Sequence, residues 1–294
     1  MTSSKVVHFD TIHGVEVYDA VFSNRRFLTG QTTNSGHNYN TRIPISYPIS
    51  NVKQIELSSL EFPYCTPNVR GENRSNYFEA NFRYQGILRQ ISFDLIPKNY
   101  TGIGELILDM NTKIVTAIQD QSALAGFTLV LSLNPLDSSK IILKANCSTA
   151  QGGLLFGSCS ILKTILTENI LGISYEIHSN SDLFIGNTTT GISTMVVTNS
   201  YNLQPDNYFN CVIPNLNHGG TTNSQSGVMT SFKIPLNGMY GEVLYQTANT
   251  SFLQYLNVNN QTVSEVHFRI FDRWGFPVYG TGAGHVSFTL TFHC

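Results

Sequence analysis

The sequence predicts a mainly β protein, an antiparallel jelly-roll sandwich with a small inserted α+β subdomain. Three observations point there. Short alternating apolar and polar segments, punctuated by Gly, Pro and Asn, occupy both ends of the chain. One sustained 3.6-residue apolar stripe lies between them and marks a helix. Charged residues make up only 12% of 294, about half the roughly 25% of an average soluble domain. Their place is taken by Ser, Thr and Asn, with 18 Phe, 14 Tyr and a single Trp.

From Thr41 the chain reads as strand: Ile43 and Ile45 alternate with polar residues up to Pro48. Val52 to Pro63 alternates, slips by one at Ser58-Ser59 and resumes, the pattern of a bulge that keeps one face on the core. Phe78–Tyr84 and Ile91–Leu95 suggest a hairpin around Gln85-Gly86. Ile103, Leu106, Ile107, Met110, Ile114, Ala117 and Ile118 then form one helical stripe. Thr101 or Gly102 is the expected N-cap, with Glu105 in the first turn. Phe127–Leu131 and Lys140–Leu143 are strands around the turn Asn134–Asp137, and a short helix is expected from Ser160 to Leu166. Further on, strands are expected at Thr194–Val197, Tyr208–Val212, Ser231–Ile234, Leu253–Val258, Val263–Phe271 and His285–Phe292. The polar stretch Asn215 to Thr230 reads as an exposed loop.

These elements imply four segments. Residues 1–40 form an N-terminal arm, and residues 41–76 with 192–294 form the jelly-roll. Residues 77–175 form the inserted subdomain, and 176–191 connect it back. Alternating strands on both sides of the insert each bury one face and must share a core.

Composition excludes several function classes. A net charge of −2 gives no field to attract a polyanion, so no nucleic-acid partner is expected. No run approaches 18 apolar residues, so no membrane span is expected. The first ten residues lack the apolar core of a secretory signal. Five widely spaced cysteines without a C-x-x-C argue against a disulfide framework or zinc cluster, and so for a reducing compartment. The sequons at Asn73, Asn99, Asn146, Asn187, Asn249 and Asn260 match the frequency expected by chance in so Asn- and Thr-rich a chain.

No constellation for chemistry stands out. His8, Asp10 and His13 are three ligand-type residues within six positions, but their spacing fits no helix or strand face, and they read as polar residues of the arm. Thr101-Gly-Ile-Gly104 lacks the full phosphate-loop pattern and reads as a turn into a capped helix. No nucleophile motif or histidine pattern supports catalysis, and no catalytic, cofactor or metal residues are assigned. Asp272-Arg-Trp-Gly275 reads as a tight Asx-type turn joining the last two strands. Its Arg273 and Trp274 are the candidate interface pair, because a lone Trp often anchors a contact.

Several segments together resemble a family. Val52–Pro63 followed by Asn76–Ala80, and Ile91–Thr101 leading into Gly104–Ile107, are similar to segments of minor capsid and penton proteins of giant and other large icosahedral DNA viruses. Ser160–Leu162 through Gly172 resembles the helix closing their inserted unit. Phe268–Gly275 with Gly284–Phe292 resembles their closing hairpin. The resemblance spans roughly residues 40 to 294. It implies a structural virion protein of the capsid, assembled in the host cytoplasm, without catalysis or cofactor. Its partners would be the major capsid protein, other minor capsid proteins and, in a vertex arrangement, four more copies of itself. A carbohydrate- or receptor-binding jelly-roll module for attachment is the alternative the same pattern allows.

Overall fold

A computed structural model describes residues 3–16, 37–84, 87–147, 159–173, 185–187, 192–197, 199–216, 221–222, 229–247, 255–280 and 285–294. The chain forms two compact units, Met1–Pro67 with Asp206–Cys294, and Asn68–Pro205. The first unit begins with Ser4–Asp10 (β1), Val15–Glu16 (β2), His37–Asn38 (β3) and Thr41–Pro63 (β4). The second holds Tyr77–Tyr84 (β5), Ile87–Asp94 (β6), the helix Ile103–Gln119 (α1), Phe127–Asn134 (β7) and Asp137–Cys147 (β8). It ends with Cys159–Ile161 (β9), Ile185–Asn187 (β10) and Ile192–Val196 (β11). The chain then returns to the first unit through Tyr208–Val212 (β12), Thr221–Thr222 (β13), Met229–Thr230 (β14) and Phe232–Pro235 (β15). Val243–Thr247 (β16), Tyr255–Phe271 (β17), Tyr279–Gly280 (β18) and Ser287–His293 (β19) complete it.

In the first unit one antiparallel sheet runs β1-β19-β4-β17-β12-β15, with β16 and β2 also on β4. Two strands are far longer than the rest, β4 with 23 residues and β17 with 17. They pair with each other along most of that length and bend together. Asn51 (φ 62°) and Asn260 (φ 46°) both take left-handed backbone at the bend, a conformation Asn tolerates better than most residues. The register shifts three times there, between Asn257 and Glu265. On one side of the bend, Gln54–Glu61 pairs with β19, and β19 with β1. On the other, Thr41–Ile49 pairs with Val263–Phe268, and Arg269–Phe271 pairs with β12. A sheet bent in this way folds over onto itself and buries its inner face. Phe268 stacks on Phe288 at 4.7 Å and Phe62 meets Phe209 edge-on at 5.7 Å, rings drawn from opposite sides of the bend. Both pairs belong to one buried cluster. This is the curled antiparallel jelly-roll that the alternation predicts.

The slip at Ser58-Ser59 is a bulge. Thr289 pairs with Ser59 but Leu290 pairs with Leu57, so Ser58 is the extra residue. Leu57 and Leu60 both stay buried because of it. The two serines turn outward and bond Thr291 (2.6 Å) and Thr289 (2.9 Å) on β19.

In the second unit β5 and β6 form a hairpin, joined by β9. The expected turn residues Gln85-Gly86 lie outside the described residues. β7 and β8 form another hairpin, extended by β11 and β10. Helix α1 packs on β6 and β7 with Ile103, Leu106, Met110, Ile114 and Ile118 buried, and Ile107 and Ala117 packed beside them. Polar side chains on the helix and just beyond its end also reach the two strands. Asn111 bonds both the N–H (2.8 Å) and the C=O (2.9 Å) of Leu131 on β7, and the Gln121 amide donates to the Gln90 carbonyl on β6 (2.9 Å). Edge strands left bare would template pairing with other chains.

Several expectations change. The last two strands are not a hairpin, since β17 and β19 lie on either side of β4. Thr194–Val197 falls in the second unit, where Ile192–Val196 pairs with β8. The two compact units divide at 67/68 and 205/206. The Asn68 side chain fixes the first by bonding Tyr100 N–H, Tyr100 C=O and Leu203 C=O. Part of the arm is built into the sheet, as β1 pairs along the whole of β19; residues 17–36 lie outside the described residues. The short helix starts later than expected, at Ile165, under a capping box from Thr164, while Ser160-Ile161 is strand. The stretch Asn215–Thr230 is anchored at both ends, with Leu216 and Thr230 buried; residues 217–220 and 223–228 lie outside the described residues. Of the segment 176–191, only Ile185–Asn187 is described.

Two expected outcomes follow from this packing. Leu106→Ala removes a fully buried side chain from the α1 core and should cost about 2–5 kcal/mol in urea unfolding. Asn260→Val should cost about 1–2 kcal/mol, because a β-branched residue resists left-handed backbone, while Asn260→Gly stays close to wild type. Equal melting temperatures for the Val and Gly variants would remove the bend's backbone requirement.

Candidate interaction site at the Asp272–Gly275 turn

β17 ends at Phe271, and the chain reverses at once. The Asp272 carboxylate oxygen Oδ1 accepts from the backbone N–H of Trp274 (2.9 Å) and of Phe276 (2.8 Å). Its own N–H donates to the Phe276 carbonyl (2.8 Å), and Gly275 N–H donates back to the Asp272 carbonyl (3.1 Å). Gly275 sits at φ 88°, which a residue without Cβ adopts freely. The expected Asx-type turn is thus present, tightened by a second amide. It leads β17 back along itself, with Val278 N–H on the Ile270 carbonyl (3.1 Å). Asp272 is wholly buried. Its carbonyl accepts from the Asn210 amide (3.1 Å), and Asn210 in turn accepts from the Thr230 hydroxyl (3.0 Å). Burying a carboxylate is tolerable when amides supply its hydrogen bonds.

This rigid turn presents Arg273 and Trp274 side by side. The guanidinium carbon lies 5.3 Å from the indole centroid, and Nη1 donates to the Asn207 side-chain oxygen at 3.3 Å. Both side chains are half-buried. A guanidinium over an indole is mutually attractive and holds a flat, amphipathic face in one orientation.

The other sequence candidates serve local structure. His8 hydrogen-bonds two neighbouring hydroxyls through its two ring nitrogens, Thr289 at Nδ1 (3.2 Å) and Ser287 at Nε2 (3.0 Å). Asp10 caps the turn Thr11–His13 by accepting from Ile12 N–H (2.9 Å). Among the described residues no three His, Cys, Asp or Glu side chains converge as a metal site. Gly102 is the N-cap of α1 without a side-chain cap. Beside it Lys98 reaches Glu105 and Asp109, each at 2.9 Å, and Tyr100 donates to Asp109 (3.0 Å). Lys98, then the cost of burial and Tyr100, act on Asp109, with the net result that its carboxyl is held below its ordinary range. No described helix is long and apolar enough to cross a membrane.

Two features escaped sequence reading. On the open face of β5 and β6, Glu79 accepts from the Tyr77 hydroxyl (2.6 Å) and the Asn81 amide (3.0 Å), which hold its pKa down. Asp94, paired across from Tyr77, is pushed up by burial. The alternation Tyr77, Glu79, Asn81 would have marked an outward polar face. The second is β16, an edge strand with Val243 and Tyr245 exposed. Its sequence Val-Leu-Tyr-Gln-Thr carries no apolar alternation, since the inward positions are Leu244 and Gln246.

Asp272→Ala should lower stability by about 2–4 kcal/mol through the loss of two charge-assisted bonds in a buried turn. Fluorescence of the single Trp274 should shift to the red as the turn loosens. An unchanged spectrum and melting temperature would contradict the geometry.

No protein-family model and no curated protein matches the chain. Among solved structures the chain is similar to the mavirus penton protein, with a TM-score of 0.44 at 9% identity, covering 99% of this chain and 100% of that one.

Proposed function

We propose that this chain is a structural virion protein, a penton or minor capsid component of a large icosahedral DNA virus shell, acting without catalysis or cofactor. The observation that carries the proposal is a jelly-roll unit whose outward face carries a cluster of small neutral hydroxyls. Along β1, β19 and β4 that face carries Ser4, Ser287, Thr289, Thr291, Ser58 and Ser59, tied to one another and to His8 and His293. Shell proteins must tile against several neighbours, and neutral polar surface costs less to desolvate than a charged one. The sequence-wide charge fraction of 12% extends the same property to the whole chain. The resemblance of the segments between residues 40 and 294 to capsid proteins supports the reading independently of that surface.

In this role the partners are the major capsid protein, other minor capsid proteins and further copies of the chain, assembled in the host cytoplasm. Arg273 and Trp274 are the proposed anchor toward one of them, because their turn is rigid and orients them before contact. The attachment reading, a carbohydrate- or receptor-binding module, is favoured by one observation: Tyr47 on β4 and Tyr245 on β16 stand exposed. A glycan array carries the test of that reading.

Quantitative mass spectrometry of purified particles tests the proposal, with the chain expected at a fixed ratio to the major capsid protein through successive gradients. Loss of the chain on purification, together with glycan binding by the isolated protein, would reverse the order of the two readings. Trp274→Ala should leave the melting temperature nearly unchanged yet weaken incorporation by about 30-fold, the scale of an interface hot spot.

A further inference from the structure

We propose that copies of this chain join edge to edge, the outer edge of β1 in one copy adding to the outer edge of β16 in the next, two edges that pair with no strand among the described residues, so that their sheets run on continuously. The inference deepens the structural reading above by naming the partner surface, and it rests on that reading.

The four strands β1, β19, β4 and β16 are successive antiparallel neighbours, which leaves β1 and β16 as the two borders of that part of the sheet. An even number of alternating strands puts β1 and β16 in opposite directions. A second copy placed in the same orientation therefore meets β16 with an antiparallel β1, the pairing that a continued sheet requires.

The phase of the main-chain groups agrees as well. Cys294 N–H donates to the Ser3 carbonyl and Thr11 N–H to the Val286 carbonyl. Lys5, Val7 and Phe9 therefore bond inward to β19, and Val6 and His8 turn their N–H and C=O groups to the outer border. On β16, Tyr64 N–H donates to the Glu242 carbonyl. Leu244 and Gln246 thus bond inward to β4, and Val243 and Tyr245 face the outer border. In both strands the border-facing residues also carry the outward side chains, as directly opposed residues of an antiparallel pair must.

Side chains select the register. Val6 is 68% exposed on β1, and Val243 (65%) and Tyr245 (62%) are exposed on the same face of β16. Setting Val6 against Tyr245 brings His8 to Val243 and Ser4 to Thr247, and no like charges meet. On the inner face the same register sets Val7 against Leu244 and Lys5 against Gln246. Gln246 Oε1 is buried and has no hydrogen-bond partner among the described residues. The exposed Lys5 ammonium supplies the donor it lacks. The long outer strands of the second unit differ: Asn111 bonds the main chain of Leu131 on β7, and Gln121 bonds the Gln90 carbonyl on β6. A contact between two different edges is heterologous, and a rotation that closes it yields a ring.

The test uses the full chain in solution, by sedimentation velocity, and needs no particle. Val6→Pro and Tyr245→Pro each remove one border N–H that pairs with no strand among the described residues. Val6→Asp and Tyr245→Asp place a charge at the same exposed positions and decide the matter should proline disturb the fold. Wild type is expected to assemble, and each variant alone to sediment as a monomer with wild-type circular dichroism. Mixing a β1-blocked variant with a β16-blocked one should restore a 1:1 dimer, since one intact edge of each kind remains. A monomeric wild type, variants that assemble like wild type, or a mixture that stays monomeric would overturn the inference. Particle mass spectrometry decides the shell reading separately, so the two can fail independently.

Discussion

The fold of the first unit depends on a single paired bend. Among the described residues, β4 and β17 are the strands that serve both sides of the sandwich, and they do so by turning together at Asn51 and Asn260. The other strands of that sheet attach to one side or the other: β19, β1 and β16 on the Gln54–Pro63 side of the bend, β2, β12 and β15 on the Thr41–Ile49 side. The Phe268–Phe288 and Phe62–Phe209 contacts then close across the gap. Had the two long strands stayed straight, their inner faces would have exposed a row of aromatic and aliphatic side chains to water, at roughly 1.5–3 kcal/mol for each large residue. Left-handed backbone at two asparagines is a small cost against that.

Legibility in the sequence followed the range of the interaction. The bulge at Ser58 was readable because it is local: two leucines three residues apart both need the core, and only an extra residue lets a strand deliver both. The α1 stripe was readable for the same reason, down to the burial of Leu106 and Met110. The Asp272 turn was readable because Asp and Gly carry their own turn chemistry. Pairings between distant segments were not. β17 and β19 look like a hairpin in sequence, yet each found a better neighbour in β4, and β11 left the jelly-roll for β8. Nothing in the alternation of a strand says which other strand will sit beside it. The stacking of Arg273 on Trp274 was likewise hidden, since it depends on how the buried Asp272 orients the turn.

The two units treat their borders differently. In the second, side chains on α1 or just past its end bond main-chain groups that would otherwise face outward, with Asn111 on Leu131 and Gln121 on Gln90. In the first, β1 and β16 keep outward main-chain groups beside exposed valine and tyrosine. Low charge acts in the same direction, because nothing on these borders repels a neighbour strongly. A protein selected to stay apart from its copies would place lysine or proline at such positions. The pattern fits a chain whose final state is an assembly.

Reconstruction of the purified particle tests the central claim most directly. For a shell component, density at the vertex or on the underside of the capsomers should accept the first unit, with the bent β4–β17 pair recognisable as its longest feature. A shell fully accounted for by other chains, with no such density at either place, would contradict it.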